Sequence, residues 1–124
     1  MEKRVHTVDS LAKGGAYSHA IEAGALLFVS GMLPVSPDKL VTVDDIETAT
    51  KLALTNLKTL LESSGSGLQE VVKVTVFLRD STDFKGMNDI YSKFFSKEPP
   101  TRSCVVVKEI PGGFPVEIEA IAVK

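Results

Sequence analysis

Cysteine is nearly absent from this chain: Cys104 is the single one in 124 residues. One thiol cannot close an internal disulfide, so nothing in the sequence argues for secretion. Equally lacking are an apolar run approaching the roughly 20 residues of a membrane-spanning helix and a basic-then-apolar leader, and the expected compartment is the cytoplasm. Positive charge is not in excess either. A net charge of −2 and a pI of about 5.7 provide no electrostatic footprint for nucleic acid. His6 has no second metal-type residue at a ligand spacing. No ligand cluster for a metal, nucleotide or organic cofactor is visible, and none is expected.

What is present is ordinary for a soluble globular chain: 44% hydrophobic and 24% charged residues, enough to bury a core in one domain spanning residues 1–124. Lys3 to Val8 reads as a short strand. Gly14-Gly15-Ala16-Tyr17-Ser18-His19 reads as a loop entering a strand, with Tyr17 either covering a core edge or facing a pocket. Ala25 to Gly31 is an apolar run that reads as a buried strand ending at Ser30-Gly31, with a loop from Met32 to Leu40.

Thr42-Val43-Asp44-Asp45 resembles a capping box. Behind it Ile46, Ala49, Ala53, Leu57, Leu60 and Leu61 recur at helical spacing until Ser63-Ser64-Gly65-Ser66-Gly67 ends the helix. The glycines stand at a helix C-terminus, whose dipole repels anions, and so read as a cap rather than a phosphate loop. Val71 to Asp80 alternates, with Val72, Val74, Val76 and Leu78 on one face and Lys73, Thr75, Phe77 and Arg79 on the other. Asp83 is expected to cap a second helix whose apolar stripe is Met87, Ile90, Tyr91, Phe94 and Phe95, leaving Asn88 free to face a site.

The stretch from Pro100 to Glu119 reads as two β-branched strands around the turn Pro111-Gly112-Gly113-Phe114-Pro115. An antiparallel hairpin there would set Arg102 near Glu117. The pair then reads either as a cross-strand salt bridge or as a carboxylate-gripping fork facing a proton-moving glutamate. Two helices can cover only one face of such a sheet. Phe77, Ile121 and Val123 on the second face therefore call for a partner, most simply another copy.

Pro100-Thr101-Arg102-Ser103-Cys104-Val105 with Val116-Glu117-Ile118-Glu119-Ala120, joined by Tyr17-Ser18, Val29-Ser30-Gly31, Thr82-Asp83-Phe84, Met87-Asn88 and Tyr91, closely resembles the RidA/YjgF (L-PSP, UK114) family over nearly the whole chain. The resemblance implies an α+β, chorismate-mutase-like fold, a mixed sheet with two helices on one face. It also implies a homotrimer closing a central β-barrel, with sites at the subunit interfaces. It implies a cofactor-independent deaminase that hydrolyses reactive 2-imino acids such as 2-iminopropanoate and 2-iminobutanoate to 2-keto acids and ammonia. Arg102 would grip the carboxylate and Glu117 handle water and protons; Tyr17, Ser30, Gly31, Phe84, Asn88 and the main chain at Cys104 would line the pocket. Cys104 as a nucleophile is disfavoured, since no histidine is placed by sequence to activate it. Ala16, His19 and Thr101 depart from the family pattern at the pocket rim. The rival readings are a non-catalytic carboxylate-sensing or chaperone-like module, and a ribonuclease or translation inhibitor. The acidic pI and the lack of a basic, aromatic-studded stretch oppose the latter.

Overall fold

The computed structural model describes residues 2–36 and 44–124. The Pro37–Leu40 end of the expected loop and the Thr42-Val43 half of the capping box lie outside them. In chain order the elements are β1 (Lys3–His6), β2 (Ala20–Ala23), β3 (Leu26–Met32), α1 (Ile46–Ser63), β4 (Val71–Leu78), α2 (Phe84–Phe94), β5 (Thr101–Val106) and β6 (Val116–Val123). All six strands join one mixed sheet in the order β1-β2-β3-β6-β4-β5.

Helix α1 forms where the spacing predicts it. The Asp45 side chain accepts from the Thr48 amide at 3.0 Å, closing the first turn. At the other end Gly65 sits at φ +82°, a left-handed angle that favours glycine. Between them Ala49, Ala53, Leu54, Leu57, Leu60 and Leu61 are fully buried against Val74, Val76, Leu78, Val116 and Ile118 of the sheet. Met87, Tyr91 and Phe95 from α2 and its C-terminus complete the same core. Both helices thus cover one face of the sheet and leave the other open.

The expected hairpin does not form. β5 pairs in parallel with β4, and β6 runs antiparallel between β3 and β4. The helix α2 between β4 and β5 makes the crossover that parallel strands require. Residues 107–115 then carry the chain past the end of β4: the Val107 amide donates to Leu78 O at 2.9 Å, and the Arg79 amide to Pro115 O at 3.0 Å. The interior position goes to the strand that can bury a whole side. Val116, Ile118, Ala120 and Ala122 are at most 4% exposed, whereas Val105 and Val106 on β5 are 43% and 53% exposed.

Smaller corrections follow from one-sided coverage and from register. β3 is buried on one face only, with Leu27 and Val29 inside and Leu26 and Phe28 exposed. Val72 is exposed and Val71 buried instead, because the β4–β6 register slips between Val71 and Lys73. Asp83 occupies the N-cap position of α2 but makes no side-chain cap bond. That work is done one turn earlier, where the Asp80 carboxylate accepts from both the amide and the hydroxyl of Thr82.

Candidate active site

Arg102 lies on the helix-covered side of β5, level with Val74 of β4. Its Nη1 donates to Asn88 Oδ1 at 2.8 Å. Its guanidinium carbon stands 4.7 Å from the Tyr91 ring centroid and 5.7 Å from that of Phe84. Phe84, Asn88 and Tyr91 are spaced i, i+4 and i+7, so they share one side of α2 and surround the guanidinium together. Sequence reading singles out Phe84 and Asn88 but leaves Tyr91 in the core stripe. The i+7 spacing from Phe84 was the available signal.

Cys104 follows two residues on, on the same side of β5, half-buried against the core. Burial pushes its thiol up, with Arg102 pulling weakly the other way. A protonated, partly shielded thiol is a poor nucleophile. Burial also pushes the Tyr91 phenol up to about 12, again opposed by Arg102.

The second group of residues gathers elsewhere. Glu117 on β6 is level with Phe77 of β4, on the sheet face that no helix covers. A Cβ on Gly31 would run into the Glu117 carboxyl, so the glycine is what lets that side chain lie flat across β3. Ser30 Oγ donates to Ser18 O at 2.6 Å, and the Ser30 amide donates to His19 O at 3.0 Å. Tyr17 is 40% exposed and lines a cavity of about 470 Å³ with Gly14, Gly31, Met32, Leu33 and Phe114. Its hydroxyl accepts from the Gly14 amide at 3.1 Å. Burial, and then the nearby Glu119, pushes the Glu117 carboxyl above its usual range.

His19 anchors this second group. It is 2% exposed, its Nδ1 accepts from the Val8 amide at 3.0 Å, and its Nε2 faces Ala12 O at 3.1 Å. A carbonyl can only accept, so Nε2 carries the proton and the neutral tautomer is set. The ring therefore ties both ends of the loop that presents Tyr17.

Arg102 and Glu117 are not brought together. One strand separates theirs, and their side chains leave the sheet on opposite faces, which excludes the salt bridge between them within one chain. Each instead keeps its own company: Phe84, Asn88, Tyr91 and Cys104 for the arginine; Gly31 for the glutamate, with Tyr17 lining the cavity that the same glycine borders. Among the described residues no group of His, Cys, Asp and Glu side chains could hold a metal ion. No helix there is long and apolar enough to cross a membrane.

Comparison with known proteins matches residues 7–124 to the endoribonuclease L-PSP family. The chain is 35% identical over its full length to 99% of the 2-iminobutanoate/2-iminopropanoate deaminase of Salmonella typhimurium. The crystal structure of yeast YEO7 superposes with a TM-score of 0.96 at 38% identity, covering 99% of each chain. That of Escherichia coli TdcF with bound serine superposes with a TM-score of 0.90 at 34% identity, covering 97% of each. The chain belongs to the L-PSP family, the RidA/YjgF proteins, and carries their two-helix, six-strand α+β fold.

Proposed function

We propose that this protein is a hydrolytic deaminase of reactive 2-imino acids, acting as a homotrimer whose sites lie between subunits. The observation that carries the reading is the isolation of the Arg102 charge. Its partners are an amide and two aromatic rings, and no carboxylate lies within ion-pair distance of it among the described residues. A half-buried guanidinium without a counter-ion, held in a set orientation, is suited to a small carboxylate ligand. The relatives support the choice of ligand: one is named for 2-iminobutanoate and 2-iminopropanoate, and another was crystallised with serine.

Glu117 supplies the complementary need. Water attacks the carbon of a protonated C=N bond and forms a carbinolamine. The carbinolamine expels ammonia as the C–N bond breaks and a C=O bond forms. A carboxylate that takes a proton from the attacking water and returns one to the departing nitrogen serves both steps. Burial raises the proton affinity of this carboxyl above that of a free side chain, which suits it to hold and return a proton. The reaction is a hydrolysis without net oxidation or reduction.

In one chain the two groups cannot reach one substrate. In the proposed trimer, the β5–α2 corner of one copy meets the Glu117–Tyr17 face of the next. The open face there is apolar enough to be covered: Phe28 and Val105 are each 43% exposed, and Phe77 and Ile121 are half-buried.

A ribonuclease reading has the family's descriptive name behind it and little on this chain. His6 is paired with Glu22 and His19 has both ring nitrogens occupied, so neither imidazole is free for phosphodiester chemistry. The decisive assay couples a pyridoxal-phosphate dehydratase acting on threonine to ammonia release. Faster conversion of 2-iminobutanoate, abolished in Arg102→Gln, is expected. Release unchanged from the uncatalysed rate would overturn the proposal.

A further inference from the structure

We infer that Tyr91 is a positioning residue that aims the Arg102 fork at its ligand; the inference rests on the carboxylate-binding reading of Arg102. By sequence Tyr91 is one member of an apolar stripe, and by burial it is core, only 4% exposed. Yet its ring is the closer of the two aromatic faces to the guanidinium, at 4.7 Å against 5.7 Å for Phe84. It is also the firmer one. Phe84 is 44% exposed, whereas Tyr91 is clamped by Phe95, their centroids 4.8 Å apart.

Two constraints orient a planar fork: one on its plane and one on its rotation within that plane. Contact with the Tyr91 face, over which the guanidinium carbon lies, constrains the plane, and the Nη1–Asn88 bond sets the rotation. Among the described residues no protein acceptor bonds Nε or Nη2, which leaves one edge of the fork for the two oxygens of a carboxylate. The ring also keeps water from one face of the cation, which strengthens its attraction for an anion at that edge. Among the described residues the buried Tyr91 hydroxyl finds no hydrogen-bond partner, so it is the ring and not the hydroxyl that this position uses.

The test uses 2-oxobutanoate, a stable keto-acid product, titrated calorimetrically into the purified assembly. Tyr91→Met keeps an apolar side chain of adaptable shape but loses the π face; Tyr91→Phe keeps the ring. Tyr91→Met is expected to weaken binding by about 2- to 30-fold. In turnover it should raise KM far more than it lowers kcat. Tyr91→Phe should restore binding to within about 2-fold of wild type, because no bond is lost with the hydroxyl. Equal affinity of folded Tyr91→Met and wild type would overturn the inference and leave the deaminase reading standing. Equal affinity of Arg102→Gln and wild type would overturn the carboxylate reading and this inference together. Should Tyr91→Met fail to assemble, the wild-type protein still decides. Stacking shifts the Arg102 Nε–H proton resonance upfield and Tyr91→Phe retains that shift; an unshifted resonance in wild type overturns the platform.

Discussion

Arg102 and Glu117 leave one sheet on opposite faces, with strand β4 between their strands. A site that needs both must therefore take them from different copies of the chain. Arg102→Gln and Glu117→Gln proteins should each lose most of their activity alone and regain activity when denatured, mixed in equal amounts and refolded together. Random assembly puts an intact arginine opposite an intact glutamate in about one quarter of the sites, and activity should approach that fraction of wild type. Light scattering should give about 40 kDa for three chains of 13.3 kDa. A stable monomer, or no recovery on mixing, would end the shared-site model.

Replacing Arg102 by lysine keeps a positive charge over Tyr91 and Phe84 but loses the fork. Catalytic efficiency should fall by about 2–4 kcal/mol in transition-state terms, a factor of ten for each ~1.4. Because Arg102 is half-buried and bonded to one side chain, the melting temperature should move little by comparison. Steady-state kinetics and a thermal melt on the same preparation separate the two effects.

Glu117 ties activity and stability to pH with opposite signs. Its carboxyl holds its proton more tightly in the fold than the usual 4.5 of the free side chain. The folded state then binds more protons than the unfolded state above that pH. Stability is fully present below about 4.5 and declines as pH rises through the raised value. Glu117→Gln removes this dependence, so the variant's melting temperature should gain on wild type as pH rises through that window. Activity should do the reverse: the acid limb of the wild-type kcat/KM profile should lie above 4.5 and vanish in Glu117→Gln. A limb that persists unchanged in the variant would assign the titration to another group.

Gly31→Ala places a methyl group where the Glu117 carboxyl lies. The side chain must swing out of the position it holds across β3. Overpacking of this kind costs about 1–3 kcal/mol of stability. The informative readout is kinetic, since turnover should fall as it does in Glu117→Gln while keto-acid binding at Arg102 is retained. Normal turnover would show that the glutamate works from another conformation.

His19 serves as a hydrogen-bonding bridge. Glutamine at this position has one acceptor and one donor to meet the Val8 amide and the Ala12 carbonyl, whereas leucine has neither. His19→Leu should lose about 1–3 kcal/mol for each backbone group left unsatisfied. It should also raise KM by loosening the Tyr17 loop, and His19→Gln should recover most of both. Equal damage from the two substitutions would show that the ring's shape, not its bonding, holds the loop.

What the chain encodes locally was legible without coordinates. The stripe of α1 from Ala49 to Leu61, the glycine stop after it, and the placement of Asn88 off the α2 core face all follow from a period of 3.6 residues acting within a few turns. Phe84, Asn88 and Cys104 beside Arg102, and Gly31 beside Glu117, were legible too, through the resemblance to a family, whereas Tyr91 read only as core. Neighbourhood across the sheet was not. Alternation in β5 and β6 tells which residues share a side of each strand, and it is silent on which strand lies alongside. A Pro/Gly-rich connection between two β-branched runs satisfies a hairpin as well as it satisfies a passage around the end of β4. The choice was made by α2, whose crossover makes β5 parallel to β4, and by the apolar side of β6, which buries completely only between β3 and β4. That single decision of strand order turns Arg102 and Glu117 from facing neighbours into residues on opposite faces. Burial against both helices is a property of the assembled sheet, and no short window of sequence contains it.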